Sequence, residues 1–138
     1  MSKNSGYAYE SQVGMDGNQT CLLDYLCRRY VHSTREQWKD RIEQGEVILD
    51  GKVAQAEQLL TPGKILVWNR PPWEEPGVPL GFEITYQDRQ VLVVDKPNGL
   101  PTLPGGGFLE NTLLHLVQRD FPHAKPMHRL GRGTSGLV

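Results

Sequence analysis

The 138-residue sequence is poor in cysteine, with only Cys21 and Cys27, too few for a disulfide framework. Six positions apart, the two would stand roughly 240° apart around a helix, so they do not converge on a metal, and they read as reduced, packed thiols. Long apolar runs are also missing. No stretch approaches the ~20 apolar residues of a membrane span, and Met1 to Asn18 has no apolar core of a secretory signal, so a soluble cytoplasmic protein without membrane contact is expected. Charge of one sign is not in excess either. Fifteen Lys and Arg against sixteen Asp and Glu leave −1, which excludes a uniformly basic coat for nucleic acid but not a local basic face. Neither an internal repeat nor a low-complexity tract is present.

The charge resolves by segment. Residues 1–17 carry −1, 18–70 carry +1, 71–84 carry −3 and 85–138 carry +2, so the acidity sits in the tail and the middle. Four of the ten prolines fall in Pro71–Pro79, where Pro blocks helix and removes ladder donors. The expected division is therefore a disordered tail (1–17), a front domain (18–70), a Pro-rich linker (71–84) and a second domain (85–138).

In the front domain Thr20 is the expected N-cap of a first helix over Cys21–Val31, with Leu22, Leu23, Leu26 and Tyr30 as its apolar stripe. Ser33 with Glu36 reads as the capping box of a second helix, Thr34–Gln44, which turns Trp38 and Ile42 inward and stops at Gly45. Glu46–Leu49 and Lys64–Trp68 read as strands, with Asp50-Gly51 as a tight hairpin turn. Arg28, Arg29, Arg35, Lys39 and Arg41 crowd on or just before the second helix, with Arg35 and Lys39 one turn apart. By spacing alone this also describes a solvated, salt-bridged helix pair, because Asp24, Glu36, Asp40 and Glu43 are interspersed.

The order of elements resembles the alpha-L RNA-binding motif first seen in a small-subunit ribosomal protein. It is carried by Leu23-Asp24-Tyr25-Leu26, Ser33-Thr34-Arg35, Gly45-Glu46-Val47-Ile48-Leu49-Asp50-Gly51-Lys52 and Pro62-Gly63-Lys64-Ile65. The resemblance implies that the N-terminus of the second helix faces RNA phosphates. On this sequence that assigns Ser33, Thr34, Arg35, Lys39 and Lys52 to RNA, with Arg28 and Arg29 in support.

Beyond the linker, Phe82–Tyr86 and Gln90–Asp95 read as strands, the second apolar enough to be buried on both faces. A turn at Lys96-Pro97-Asn98-Gly99, a Gly-rich loop at 104–107 and a helix over 111–119 capped by Asn111 follow. Gly131, Gly133 and Gly136 satisfy GxGxxG formally, but no apolar strand precedes them and no helix follows, and nothing positions Ser135, His128 and Asp120 as a triad.

Val91-Leu92-Val93-Val94-Asp95-Lys96-Pro97-Asn98-Gly99-Leu100-Pro101, followed about 30 residues later by His128-Arg129-Leu130-Gly131-Arg132-Gly133-Thr134-Ser135-Gly136, is similar to the opening of an RluA-type RNA pseudouridine synthase. The resemblance implies an α+β protein: a small alpha-L RNA-binding domain (two helices plus a small sheet), a Pro-rich linker, then an incomplete mixed α/β catalytic domain. It implies isomerisation of uridine in ribosomal or transfer RNA, structured RNA as partner, a monomer, and neither metal nor organic cofactor. Catalytic positions carried over are His128, Arg129, Gly131 and Thr134, Gly131 standing where the family has its aspartate. Such a carboxylate attacks the anomeric carbon or removes a proton from its neighbour. Glycine can do neither, although this variant of the motif resembles that of some members from photosynthetic lineages. The resemblance stops at Val138, ahead of the family's later Tyr- and Arg-containing motifs. The chain is therefore expected to be an N-terminal fragment, inactive by itself, with a non-catalytic RNA-binding protein as the alternative.

Overall fold

The computed structural model describes residues 3–138, which divide into two compact units: Ser5–Pro72, and Trp73–Val138 together with the stretch ending at Asn4. In the first unit, strand β1 (Tyr7–Gln12) precedes a short 3-10 turn, helices α1 (Leu22–Arg29) and α2 (Arg35–Glu43), and strands β2 (Val47–Leu49), β3 (Lys52–Val53) and β4 (Ile65–Arg70). The sheet is antiparallel in the order β1-β4-β2-β3. Leu22, Tyr25, Leu26, Trp38, Ile42, Val47, Leu49, Leu60 and Leu66 fill one core between helices and sheet.

Strand β1 corrects the expectation of a disordered tail. Six residues pair in register with β4, from Tyr7↔Arg70 to Gln12↔Ile65, and Val13 beyond them is buried. A polar, Tyr-rich segment has little to make it a strand alone; the exposed ladder of β4 supplies its hydrogen bonds.

The helix starts also shift. Thr20 does not cap α1: its hydroxyl donates to Asn18 O, and Cys21 takes the cap position without a side-chain bond. No cap is needed, because the amides of Leu22 and Leu23 donate to Gln58 O and Ala56 O. The capping box of α2 is Thr34 with Gln37 rather than Ser33 with Glu36. Thr34 Oγ1 accepts from Gln37 N at 3.2 Å, and Thr34 N donates to Gln37 Oε1 at 2.8 Å. The hairpin turn is as expected, with φ of 48° at Asp50 and 81° at Gly51, the pair of left-handed residues a type I′ turn requires.

The second unit has strands β5 (Glu83–Gln87) and β6 (Leu92–Lys96), helix α3 (Leu113–Asp120) and the two-residue strand β7 (Gly136–Leu137), in an antiparallel sheet β5-β6-β7. Val94, Leu100, Leu113, Leu116 and Val117 form its core. β6 is not buried on both faces: Val94 and Lys96 turn inward while Asp95 is exposed. Thr112, not Asn111, caps α3, its Oγ1 accepting from His115 N, while the Asn111 side-chain Nδ2 donates to Pro76 O.

The Pro-rich stretch is not a free linker from Trp73 onward. Trp73 Nε1 donates to Gly107 O, and the buried Glu75 carboxylate accepts from the consecutive amides of Leu109, Glu110 and Asn111 at 2.6, 2.9 and 3.0 Å. Such an amide row ahead of a helix is a natural seat for an anion. The acidic middle of the chain is thus partly structural.

Candidate RNA face and the anchored motif loop

In the first unit the start of α2 gathers the basic residues. Arg35 Nη1 donates to Asp24 Oδ1 at 2.6 Å, and this hydrogen bond is the main reason the Asp24 carboxyl sits below its usual range. Both side chains are more than half exposed, so water and salt compete for the pair and Arg35 is available to a phosphate. Arg28 donates to Asp16 O, and Arg29 reaches Asp16 Oδ2 at 3.5 Å. Lys39 and Lys52 are exposed and form no ion pair among the described residues. Ser33 Oγ accepts from Arg41 Nη1 at 2.7 Å, and Thr34 is committed to the capping box, so these two hydroxyls shape the turn. Lys52 stands on β3, beyond the Asp50-Gly51 turn.

Arg41, left out of the sequence-based assignments, is the hinge of an aromatic cluster. Its guanidinium lies 4.8 Å from the centroid of the Trp38 ring and 4.4 Å from that of Trp68, and burial pushes its pKa down. Helical spacing places Arg41 three residues after Trp38, but Trp68 comes from β4 and no local pattern reveals it.

In the second unit the two sequence motifs meet. Gly136 pairs with Lys96 and Leu137 with Asp95, closing residues 128–136 against the end of β6. Thr102 Oγ1 donates to Leu130 O at 2.7 Å and accepts from Leu130 N at 3.2 Å. Gly99 N donates to Arg132 O at 2.7 Å. Lys96, fully buried, directs its Nζ to Leu100 O at 2.6 Å, Pro97 O at 3.0 Å and Arg132 O at 3.4 Å, and burial lowers its pKa. Residues 130 and 132 are therefore tied down on either side of position 131. Lys96 and Thr102 were missed as site residues, although a lysine ending an apolar run directly before Pro-x-Gly is the signal that could have marked the first.

Position 131 itself is open. Its backbone lies outside the left-handed region, and an added Cβ would meet only Thr134 Oγ1, at 3.8 Å. The turn from Gly131 to Thr134 is closed by Thr134 N donating to Gly131 O at 3.0 Å. His128, Arg129 and Thr134 are exposed around it, and Arg132 lies 5.4 Å over the Phe108 ring. Among the described residues no group of three or more His, Cys, Asp or Glu could hold a metal ion, and no helix is long and apolar enough to cross a membrane.

The first unit is thus two helices on a small antiparallel sheet with a cationic start to α2, and the second is an α+β unit in which two sequence motifs converge. Residues 22–66 match the S4 domain family model. The chain is 44% identical over 119 residues, 85% of its length, to an uncharacterized RNA pseudouridine synthase of Synechocystis, and 35% identical over 98% of its length to RNA pseudouridine synthase 5 of Arabidopsis thaliana. Over 40% of its length it is 43% identical to the dual-specificity RNA pseudouridine synthase RluA of Salmonella typhi. The chain thus resembles the RluA-like RNA pseudouridine synthases, with an S4 domain at residues 22–66. It spans 41% of the length of each of the first two relatives.

Proposed function

We propose that the protein isomerises uridine to pseudouridine in ribosomal or transfer RNA, as a cytoplasmic monomer. The S4 unit grips structured RNA through Arg35, Lys39 and Lys52 with Arg28 and Arg29 beside them, and the anchored loop contributes to the catalytic site. The observation that carries this reading is the double anchorage of residues 130 and 132 by Thr102, Gly99 and Lys96. In the reaction the bond from ribose C1′ to uracil N1 breaks, the base turns, and C1′ joins C5. The C5 proton leaves to solvent and N1 takes one up. A flipped nucleotide is required, because the reacting atoms are not reachable in a stacked strand. Arg129 and His128 are the groups of the loop that reach toward the flipped nucleotide and its phosphates, and Thr134 closes the turn under position 131.

A second reading rests on Gly131, which offers no carboxylate: an RNA-binding protein with a silent synthase fold. Tritium release from RNA labelled at uridine C5 separates the two, using a chain extended to the full span of its relatives. Release by the natural sequence supports the enzyme. RNA binding without release, restored by Gly131→Asp, supports the silent fold.

A further inference from the structure

The helix-facing side of the first sheet runs out beyond its core. Val47, Leu49 and Leu66 on this side are buried, but the next register positions toward the edge are Trp68 with Tyr9, then Arg70 with Tyr7. Tyr9 stacks on Trp68 with centroids 5.4 Å apart and planes 23° from parallel, and Tyr7 meets Tyr9 edge-on at 4.9 Å. His32, exposed, stacks on Trp68 at 6.0 Å and 19°. Tyr7 is 50% exposed and Tyr9 43%. Two neighbouring tyrosines left this open on an edge strand present ring surface to solvent that folding does not use.

The strip is rimmed by cations held in place. Arg70 lies 5.8 Å over Trp68, and Arg41 bridges the Trp68 ring to Ser33 Oγ, one residue before the cap of α2. Glu46, at the inner end, accepts from Trp68 Nε1 at 3.0 Å and so serves the indole. Aromatic faces flanked by ordered guanidinium groups, continuous with a helix N-terminus, match unpaired nucleotides, whose bases stack and whose phosphates pair with the cations. Tyr7 and Tyr9 lie outside residues 22–66, so the strip belongs to what this chain adds to the S4 module.

We propose that Tyr7 and Tyr9, with His32 and Arg70 at the margins, form a stacking subsite for one or two unpaired bases of an RNA strand that continues past the phosphates held at the start of α2. This rests on the reading that the S4 unit binds RNA. The subsite makes the protein select structured RNA that carries a single-stranded flank over blunt duplex.

The test uses the whole 138-residue chain and two fluorescein-labelled RNAs, a blunt hairpin and the same hairpin with a five-nucleotide single-stranded flank carrying 2-aminopurine. The natural protein binds the flanked hairpin more tightly and quenches the 2-aminopurine. Tyr7→Ala with Tyr9→Ala lowers affinity for the flanked RNA by about tenfold, the order expected for one to two stacked bases, abolishes the quenching, and leaves the blunt hairpin's affinity unchanged. Tyr9→Phe keeps both effects, since it retains the ring and removes only the hydroxyl. Equal affinity of the natural protein for both RNAs overturns the proposal, as does an equal loss for both RNAs in the double variant, which would mark β1 as structural. Sedimentation showing that the tyrosines hold two copies of the chain together, with RNA affinity unmoved, also overturns it. If the natural chain binds neither RNA, the reading of the S4 unit fails first, and the blunt hairpin reports that separately.

Discussion

Replacing Glu75 by glutamine removes one charge and half of an acceptor set that serves four donors of the second unit. Glu75 Oε1 accepts from the amides of Leu109 and Asn111, and Oε2 from the amide of Glu110 and from Asn4 Nδ2, all between 2.6 and 3.0 Å. A glutamine keeps one acceptor oxygen and puts an NH₂ against the other two donors in either orientation. Asn4 cannot flip to compensate, because its Oδ1 already accepts from Trp73 N. Two part-buried donors losing their bond to this side chain, each costing about 1–3 kcal/mol, and some relief from shifting the Asn4 side chain, give a loss of about 2–4 kcal/mol at neutral pH. The pH dependence has a definite sign. Burial alone would raise the Glu75 pKa, but the amides of Glu110, Leu109 and Asn111 and the Asn4 side chain outweigh it, and the net shift is downward. A depressed carboxylate contributes its full stability above the unfolded glutamate pKa and loses it as pH falls through the folded one. The difference between Glu75→Gln and the natural protein should therefore be greatest at pH 7 and shrink toward zero in strong acid. Amide hydrogen exchange at Leu109, Glu110 and Asn111 reads this locally, which suits a chain of two units for which one global unfolding energy is not defined. A difference below about 0.5 kcal/mol at pH 7, smaller than a single ordinary hydrogen bond contributes, or one that stays constant into acid, would refute the reasoning.

Thr34→Ala removes the capping hydroxyl and should cost about 1 kcal/mol, while Thr34→Ser should cost almost nothing; thermal unfolding of the first unit distinguishes them, at about 4–8 °C per kcal/mol for a unit of this size. Gly131→Asp should change stability by less than about 0.5 kcal/mol, because the site has room for a side chain and its backbone is not left-handed. A melting point lowered by more than about 5 °C would instead show that the loop needs glycine for its shape. Arg35→Ala and Lys39→Ala should each weaken RNA binding and reduce the salt slope by about one phosphate contact in filter retention, whereas unchanged binding at low salt would favour the solvated helix pair.

What the sequence made legible divides along one physical line. Features decided within four or five residues were readable: the Asp50-Gly51 turn, the Gly45 stop with φ of 77°, the inward Trp38 and Ile42, the presence of helix α3. Features decided by a distant partner were not. Ser33 and Thr34 are equally good caps locally, and the choice falls to Thr34 while Arg41, on the far side of the helix start, engages the Ser33 hydroxyl. Thr20 looked like a cap because nothing near it shows that the amides of α1 are met by residues 56 and 58. Strand β1 depends on a partner some 60 residues away, and Glu75 on amides more than 30 residues later. The candidate site divides the same way: the two motifs are visible as words in the sequence, whereas Lys96 and Thr102 become anchors only when the chain has brought those words together.

The anchors at position 131 are stronger than closing a hairpin requires. β6 and β7 already share a ladder at Asp95–Leu137 and Lys96–Gly136, with Val94 and Val138 exchanging two more bonds at 3.0 Å. Burying the Lys96 ammonium adds a desolvation cost, visible in its lowered pKa, and among the described residues it is met by three carbonyls and forms no ion pair that would offset the charge. Its return is positional, since one of those carbonyls belongs to Arg132 and the Thr102 hydroxyl holds Leu130 from the other side. The backbone at 131 is thus located by groups that do not include residue 131. Folding and chemistry are separable at this point in the chain. A carboxylate introduced there inherits a fixed position without disturbing its supports. Gly131→Asp therefore tests the chemistry of this position apart from its fold, while the geometry around it follows Lys96 and Thr102.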